Sequence, residues 1–192
     1  MVGIGILGSG FISDQYVDGL QDVRTADLVA NYSRSLDRAR EFAAKWAPVM
    51  TRSGEMTSYD DIEALCADPA VELVIIALPN EIHVEAVRLA AKHGKGVICT
   101  KPLARTGAEA KQILDIVAET GIWAAYAECS VFSPNIVKAH DMVQAGGIGE
   151  LLTMRAREGH SGPHAPHFWD AETAGGGALL DMGCHTVESA RH

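Results

Sequence analysis

Residues 2–10 read VGIGILGSG: a short β-rich run, Val2 to Leu7, breaks off in Gly8-Ser9-Gly10. A strand that ends in a Gly-rich turn and feeds a helix is how a doubly wound α/β chain begins. Outward from it, strand and helix signals alternate. Residues 27–33 (DLVANYS) form a second β-rich run, and Glu72 to Leu78 (ELVIIAL) is a continuous apolar run closed by Pro79. Such a run suits a strand buried on both faces of a parallel sheet. Gly96 to Thr100 and Ile122 to Ala127 are two more. Between them, Ser35 and Asn80 stand where helix N-caps belong. Thr106 and Glu109 form a T-x-x-E capping box, and Gly121 is placed to end that helix. The pattern predicts an α/β fold with an N-terminal doubly wound parallel sheet over 1–122 and the start of a second α/β domain over 123–192. In the latter, Ser133-Pro134 opens a helix, Leu151 to Arg157 reads as a strand, and a final helical pattern runs to His192.

Four groups of residues carry chemistry. Gly8, Gly10 and Ser13 hold the G-x-G-x-x-G positions, with serine as the small third residue. Gly8 permits the tight turn, and Gly10 lets the backbone approach a pyrophosphate at the helix N-terminus. At the end of the second strand, a carboxylate would accept the ribose 2′-hydroxyl of NAD. This chain has Ser33-Arg34 there, which suits the 2′-phosphate of NADP, although an arginine in a solvated loop would look the same. Lys101-Pro102 follows the fifth strand, so Lys101 projects from the sheet edge where α/β ligands bind; taken by itself, a lysine in solvent at a strand end is the stronger reading. Asp181 and His185, at i and i+4 of the last helix, share a face and suit a general base with its orienting carboxylate, or a plain surface ion pair. His160, His164, His167 and Asp170 sit in a Gly/Pro loop whose spacing permits metal ligation. No cysteine or regular finger pattern supports a metal there, and no metal is expected.

Taken in order, Gly8-Ser9-Gly10-Phe11-Ile12, ALPNEIHVEA (77–86), CTKPLA (99–104), SPNIVKAHDMVQAGGIGE (133–150) and GGGALLDMGCH (175–185) resemble the glucose–fructose oxidoreductase / inositol dehydrogenase (Gfo/Idh/MocA) family over essentially the whole chain. The resemblance implies a Rossmann domain that binds NAD(P), and hydride exchange with a sugar, polyol or related carbonyl compound. It places the family's catalytic lysine, aspartate and histidine on Lys101, Asp181 and His185. It sets Leu78, Pro79, Asn80 and His83, from the P-N-x-x-H segment, beside the cofactor, along with Gly8 to Ile12, Ser33, Arg34 and Lys101. Thr100 also falls at the cofactor, where the family usually has a glutamate toward the nicotinamide ribose. Measured against the family, the chain stops just after the catalytic histidine. Most of the second sheet is therefore expected to be missing, and Leu179, Leu180, Met182 and Val187 to need a covering surface.

Composition narrows the alternatives. The 192 residues carry 16 Lys and Arg against 25 Asp and Glu, a net charge of −9, which repels nucleic acid and anionic lipid alike. Four scattered cysteines form no C-x-x-C pair, the N-terminus has no basic segment, and no apolar run approaches the ~20 residues of a membrane span. A cytoplasmic protein with reduced thiols is expected. It would be an NAD(P)-dependent dehydrogenase of small hydroxyl compounds, using NADP with NAD as the alternative cofactor. The competing reading is a dinucleotide-binding protein without turnover. Pairing with a second copy would give a homo-oligomer.

Overall fold

The computed structural model describes residues 1–162 and 165–192. The first half runs β1 (Val2–Leu7), α1 (Phe11–Leu20), β2 (Ala26–Tyr32), α2 (Leu36–Met50), β3 (Thr57–Tyr59), α3 (Ile62–Ala67) and β4 (Leu73–Ile76). A 3-10 turn, Asn80–Ile82, leads into α4 (His83–Lys92), followed by β5 (Gly96–Thr100), α5 (Gly107–Thr120) and β6 (Ala124–Ala127). Beyond the sheet come a 3-10 turn (Ser130–Phe132), α6 (Pro134–Gln144), another 3-10 turn (Pro166–Trp169) and three short helices: α7 (Ala171–Ala174), α8 (Gly177–Asp181) and α9 (Gly183–Arg191).

The six strands form one parallel sheet in the order β3-β2-β1-β4-β5-β6, the Rossmann arrangement. Alternate residues of each strand point to opposite faces, and both faces are covered. Leu7, Val74, Ile76 and Val97 pack with Leu65, Val87 and Ile113 on one side. Ile4, Ile6, Leu28 and Ile75 pack with Val17, Phe42 and Met50 on the other. The register aligns the strand ends: Leu7 lies opposite Tyr32 and Ile76, Ile76 opposite Cys99, and Thr100 opposite Ala127. Gly8, Ser33, Ala77, Lys101 and Glu128 consequently leave the sheet along one edge. The sheet reaches Ala127, past the division expected at residue 122.

Some local signals act differently from their sequence reading. Ser35 precedes α2 but makes no side-chain cap bond. Asn80 caps nothing; it opens the 3-10 turn and spends its amide elsewhere. Thr106 Oγ1 does accept from the Glu109 N–H at 3.1 Å, and Gly121 ends α5 in the left-handed region. The Glu109 carboxylate, however, takes the Arg105 N–H at 3.0 Å and its guanidinium, because a charged donor outcompetes the cap amide. The strand expected over 151–157 is exposed irregular chain: a strand needs a ladder partner, and none of the described residues supplies one. The single final helix is broken in two at Met182. Leu179 is 82% exposed and Val187 55%, whereas Leu180 and Met182 are half-buried. Among the described residues, no helix is long and apolar enough to cross a membrane.

Candidate active site

The turn after β1 is built for a close approach. Gly8 has φ +120°, and a Cβ there would lie 2.4 Å from the Ala77 carbonyl oxygen, so only glycine fits. Its N–H donates to Tyr32 O at 3.0 Å, which ties the turn to β2. A Cβ on Gly10 would meet nothing within 4 Å, so the backbone there faces open space. Gly10, at the N-cap of α1, brings no side chain to cap it, and Phe11 and Ile12 in the first turn are exposed. Ser13 is fully buried, with its Oγ unpartnered among the described residues. A helix N-terminus behind a Cβ-free turn fits a diphosphate. Beside it, Ser9 Oγ donates to Ser33 Oγ at 2.9 Å; Ser33 is buried and Arg34 is exposed to solvent.

The P-N-x-x-H segment works as a brace. Asn80 is buried and its Nδ2 donates to Ala174 O at 2.9 Å, joining the β4 edge to α7. His83 is wholly buried, with Nε2 2.9 Å from Leu78 O and Nδ1 3.1 Å from Leu103 O. Burial pushes this imidazole below its ordinary pKa, against the neighbouring carbonyls, which favour the proton. Cys99 Sγ lies 3.4 Å from Nδ1, and burial raises that thiol to about 12. His83 thus holds together the chain before Asn80 and the chain after Lys101. Leu78 and Pro79 lie in this brace, half-buried, and Thr100 is buried at the end of β5.

Lys101 follows β5 through a cis peptide to Pro102. Its Nζ donates to Asp181 Oδ1 at 2.7 Å and to Asp181 O at 2.8 Å, with both side chains mostly shielded from solvent. Lys101 and Asp181 are therefore together, across 80 residues of chain. Asp181 and His185 do not share a helix face, because α8 ends at Asp181 and α9 starts at Gly183. His185 Nδ1 instead bonds Glu128 Oε1, on the residue directly after β6. Glu128 also accepts the Ser130 N–H at 2.9 Å. Burial by itself would raise its carboxyl, but the bonds from His185 and Ser130 prevail and hold it below the usual glutamate range. The sequence reading passed over Glu128. The available signal was an acidic residue leaving a strand on the edge that Lys101 also leaves.

Further ties fasten the last helices to this edge. Arg105 Nη1 donates to Glu172 O at 2.5 Å, and Ser130 Oγ to His185 O at 3.2 Å. Gly175 has φ +91°, and a Cβ there would sit 2.5 Å from that of Arg105. The histidine loop gathers no ligand set among the described residues. His160 Nδ1 accepts the Gly162 N–H, His167 stacks on Phe168, Asp170 caps α7, and His164 lies outside the described residues. Glu128, Cys129 and His185 offer ligand atoms within 4.8 Å of one another, a carboxylate–thiol–imidazole group at the edge itself.

Comparison with known proteins identifies the family. The model of an oxidoreductase family with an NAD-binding Rossmann fold, Gfo/Idh/MocA, matches residues 2–127, and a C-terminal domain model of the same family matches 136–192. Trans-1,2-dihydrobenzene-1,2-diol dehydrogenase of Mus musculus is 32% identical over 96% of the chain and 54% of its own length. Levoglucosan dehydrogenase of Pseudarthrobacter phenanthrenivorans is 34% identical over 76% of the chain and 39% of its own length. A levoglucosan dehydrogenase structure in complex with NADH and levoglucosan superposes with a TM-score of 0.85 at 28% identity, covering 99% of this chain and 53% of that one. A protein from gentamicin A biosynthesis, solved with NAD, gives 0.84 at 26% identity, covering 99% and 52%. The chain spans about half the length of the curated diol dehydrogenases it matches.

Proposed function

The chain belongs to the Gfo/Idh/MocA family of NAD(P)-binding oxidoreductases, and on that premise we propose that it serves hydride exchange between a nicotinamide cofactor and a sugar, polyol or related hydroxyl compound. The observation that carries this reading is the Lys101–Asp181 pair at the end of β5, with His185 on the next helix. Gly8 to Ile12 would hold the diphosphate, with Leu78 and Pro79 along the cofactor's path toward Lys101 and the buried Asn80, His83 and Thr100 bracing the chain behind them. When bound, NAD(P) supplies the hydride acceptor for an alcohol, or the donor for a carbonyl. Lys101 donates to the substrate oxygen and stabilises its negative charge, Asp181 holds the ammonium in place, and His185 takes the hydroxyl proton. Residues up to the end of the sheet would carry the cofactor, and the segment beyond it would contribute the base.

The test is cofactor reduction across a library of sugars, polyols and vicinal diols, run on this chain and on any longer form its gene encodes. Turnover with at least one member, above a no-substrate control, is expected. The exposure of Leu179 and Val187 beside the site favours a second reading, dinucleotide binding without turnover. Tight cofactor binding with no turnover in either form would establish it and remove the first.

We further infer a preference for NADP. No carboxylate stands at Ser33 or Arg34 to repel a 2′-phosphate. Arg34 is exposed, and Ser33 accepts from Ser9 while keeping its own proton to donate. An arginine–phosphate contact contributes ~1.5–3 kcal/mol, roughly ten- to hundredfold in affinity. Arg34→Ala is expected to weaken NADP by that factor and to leave NAD nearly unchanged, as read by nucleotide fluorescence titration. Equal losses for the two cofactors would refute the assignment.

A further inference from the structure

We propose that Glu128, and not Asp181, is the carboxylate that orients His185, keeping the proton on Nδ1 and leaving the Nε2 lone pair to take the substrate's proton. The proposal rests on the reading of His185 as the base and names the residue that positions it.

Three observations carry it. First, the Asp181 carboxylate is already committed to Lys101 at 2.7 Å, and the break at Met182 removes the shared helix face that would have aimed it at the imidazole. Second, the Glu128 side chain is only 2% exposed and held by the Ser130 N–H, so Oε1 meets His185 Nδ1 from a fixed position. An ionised carboxylate only accepts, which makes Nδ1 the donor and assigns the tautomer. Third, Glu128 Oε2 is buried with no hydrogen-bond partner among the described residues, and Nε2 of His185 has no hydrogen-bond partner there either. A buried anion short of partners gains most from a cation beside it, and an imidazolium formed at His185 is that cation.

In the alcohol-oxidising direction the balance is simple. The substrate O–H bond breaks and its proton goes to Nε2. The electron pair left on oxygen forms the carbonyl π bond as the hydride leaves carbon for the nicotinamide. The imidazolium then faces Glu128, and its charge is countered without Glu128 ever taking the proton. Among the described residues, the other titratable groups around the Glu128–His185 pair are Tyr126 on β6, Cys129 after it, Tyr16 on α1, Cys184 on α9, and from α8 the Asp181 carboxylate with the Lys101 ammonium that neutralises it.

The deciding measurement is two-bond ¹H–¹⁵N NMR of the His185 ring in the full 192-residue chain, titrated from pH 5 to 9. The neutral wild-type ring is expected as the Nδ1–H tautomer. In Glu128→Gln, which keeps an acceptor for Ser130, the ring is expected to lose its preference for Nδ1–H, because an amide can donate to Nδ1 as readily as accept from it. In Asp181→Asn the tautomer should stay as it is. An Nε2–H tautomer in the wild type would overturn the proposal, as would an unchanged tautomer preference in Glu128→Gln. Should Glu128→Gln fail to fold, Glu128→Asp retains the buried charge but withdraws it by one methylene, and the wild-type tautomer still decides. Where turnover is measurable, Glu128→Gln should lower kcat with KM for the cofactor held. The ring measurement needs no turnover. An enzyme reading that fails therefore leaves a distinct result from a positioning role that fails.

Discussion

Replacing Lys101 by methionine is expected to cut kcat by about a hundred- to a thousandfold, the cost of removing one donor aimed at a developing oxyanion. Methionine keeps most of the stem and removes only the charge and its hydrogen bonds, so the cofactor's dissociation constant should change little. The same substitution leaves the Asp181 carboxylate, 16% exposed, without its ammonium. Losing a charged hydrogen bond of that kind costs about 1–3 kcal/mol of stability. The double variant Lys101→Met with Asp181→Asn separates the two effects: it should recover most of the stability and none of the rate. Thermal melts and steady-state rates on the three proteins check this. Turnover of Lys101→Met within tenfold of wild type would remove the lysine from the chemistry.

His185→Ala should lower kcat by ~100-fold or more, the usual contribution of a positioned general base. Cofactor affinity should hold, because His185 sits on α9, whereas the diphosphate turn lies between β1 and α1. Alanine also leaves the Glu128 carboxylate buried opposite nothing, so this variant should melt earlier than wild type. His185→Gln is the sharper comparison. Its amide can still donate to Glu128 and preserve the fold, yet it takes no proton at working pH. Loss of rate in both variants, with stability lost only in alanine, assigns the histidine to proton transfer. If glutamine retains more than a tenth of the wild-type rate, His185 is not the base.

The fold was legible because buried parallel strands advertise themselves. ELVIIAL and VGIGIL are apolar without interruption, and the first ends in proline, the second in a glycine turn that only tertiary contact with Ala77 explains in full. β3 escaped because Thr57-Ser58-Tyr59 carries no apolar run; it is a strand by virtue of pairing with β2. Residues 151–157 erred the other way, with a β-like composition and no ladder to join. Lys101 could be singled out because the family resemblance falls on CTKPLA; a strand and a proline alone would have left it a lysine in solvent. Glu128 could not, since one glutamate after one strand looks like any other until its partner, 57 residues on, is known. The i, i+4 argument for Asp181 and His185 assumed one continuous helix. Gly183 and the backbone at Met182, with φ −110°, divide it, and each acidic or basic group found a different partner.

The order of the strands bears on how such a chain comes into being. β1 is synthesised before the other five strands of the sheet yet lies in its middle, bonded on one side to β4, with Gly3 and Glu72 69 residues apart. Every pairing is parallel, so every pairing must close a long loop before it gains a hydrogen bond, and chains of this kind fold slowly. The Gly8 turn takes its shape from Tyr32 on one side and Ala77 on the other. A nascent chain on the ribosome therefore has no anion cradle until β4 has docked. A nucleotide held at this turn, as proposed, would not template the early steps of folding; it would trap the sheet once finished, and its protection of the newly made protein would begin there.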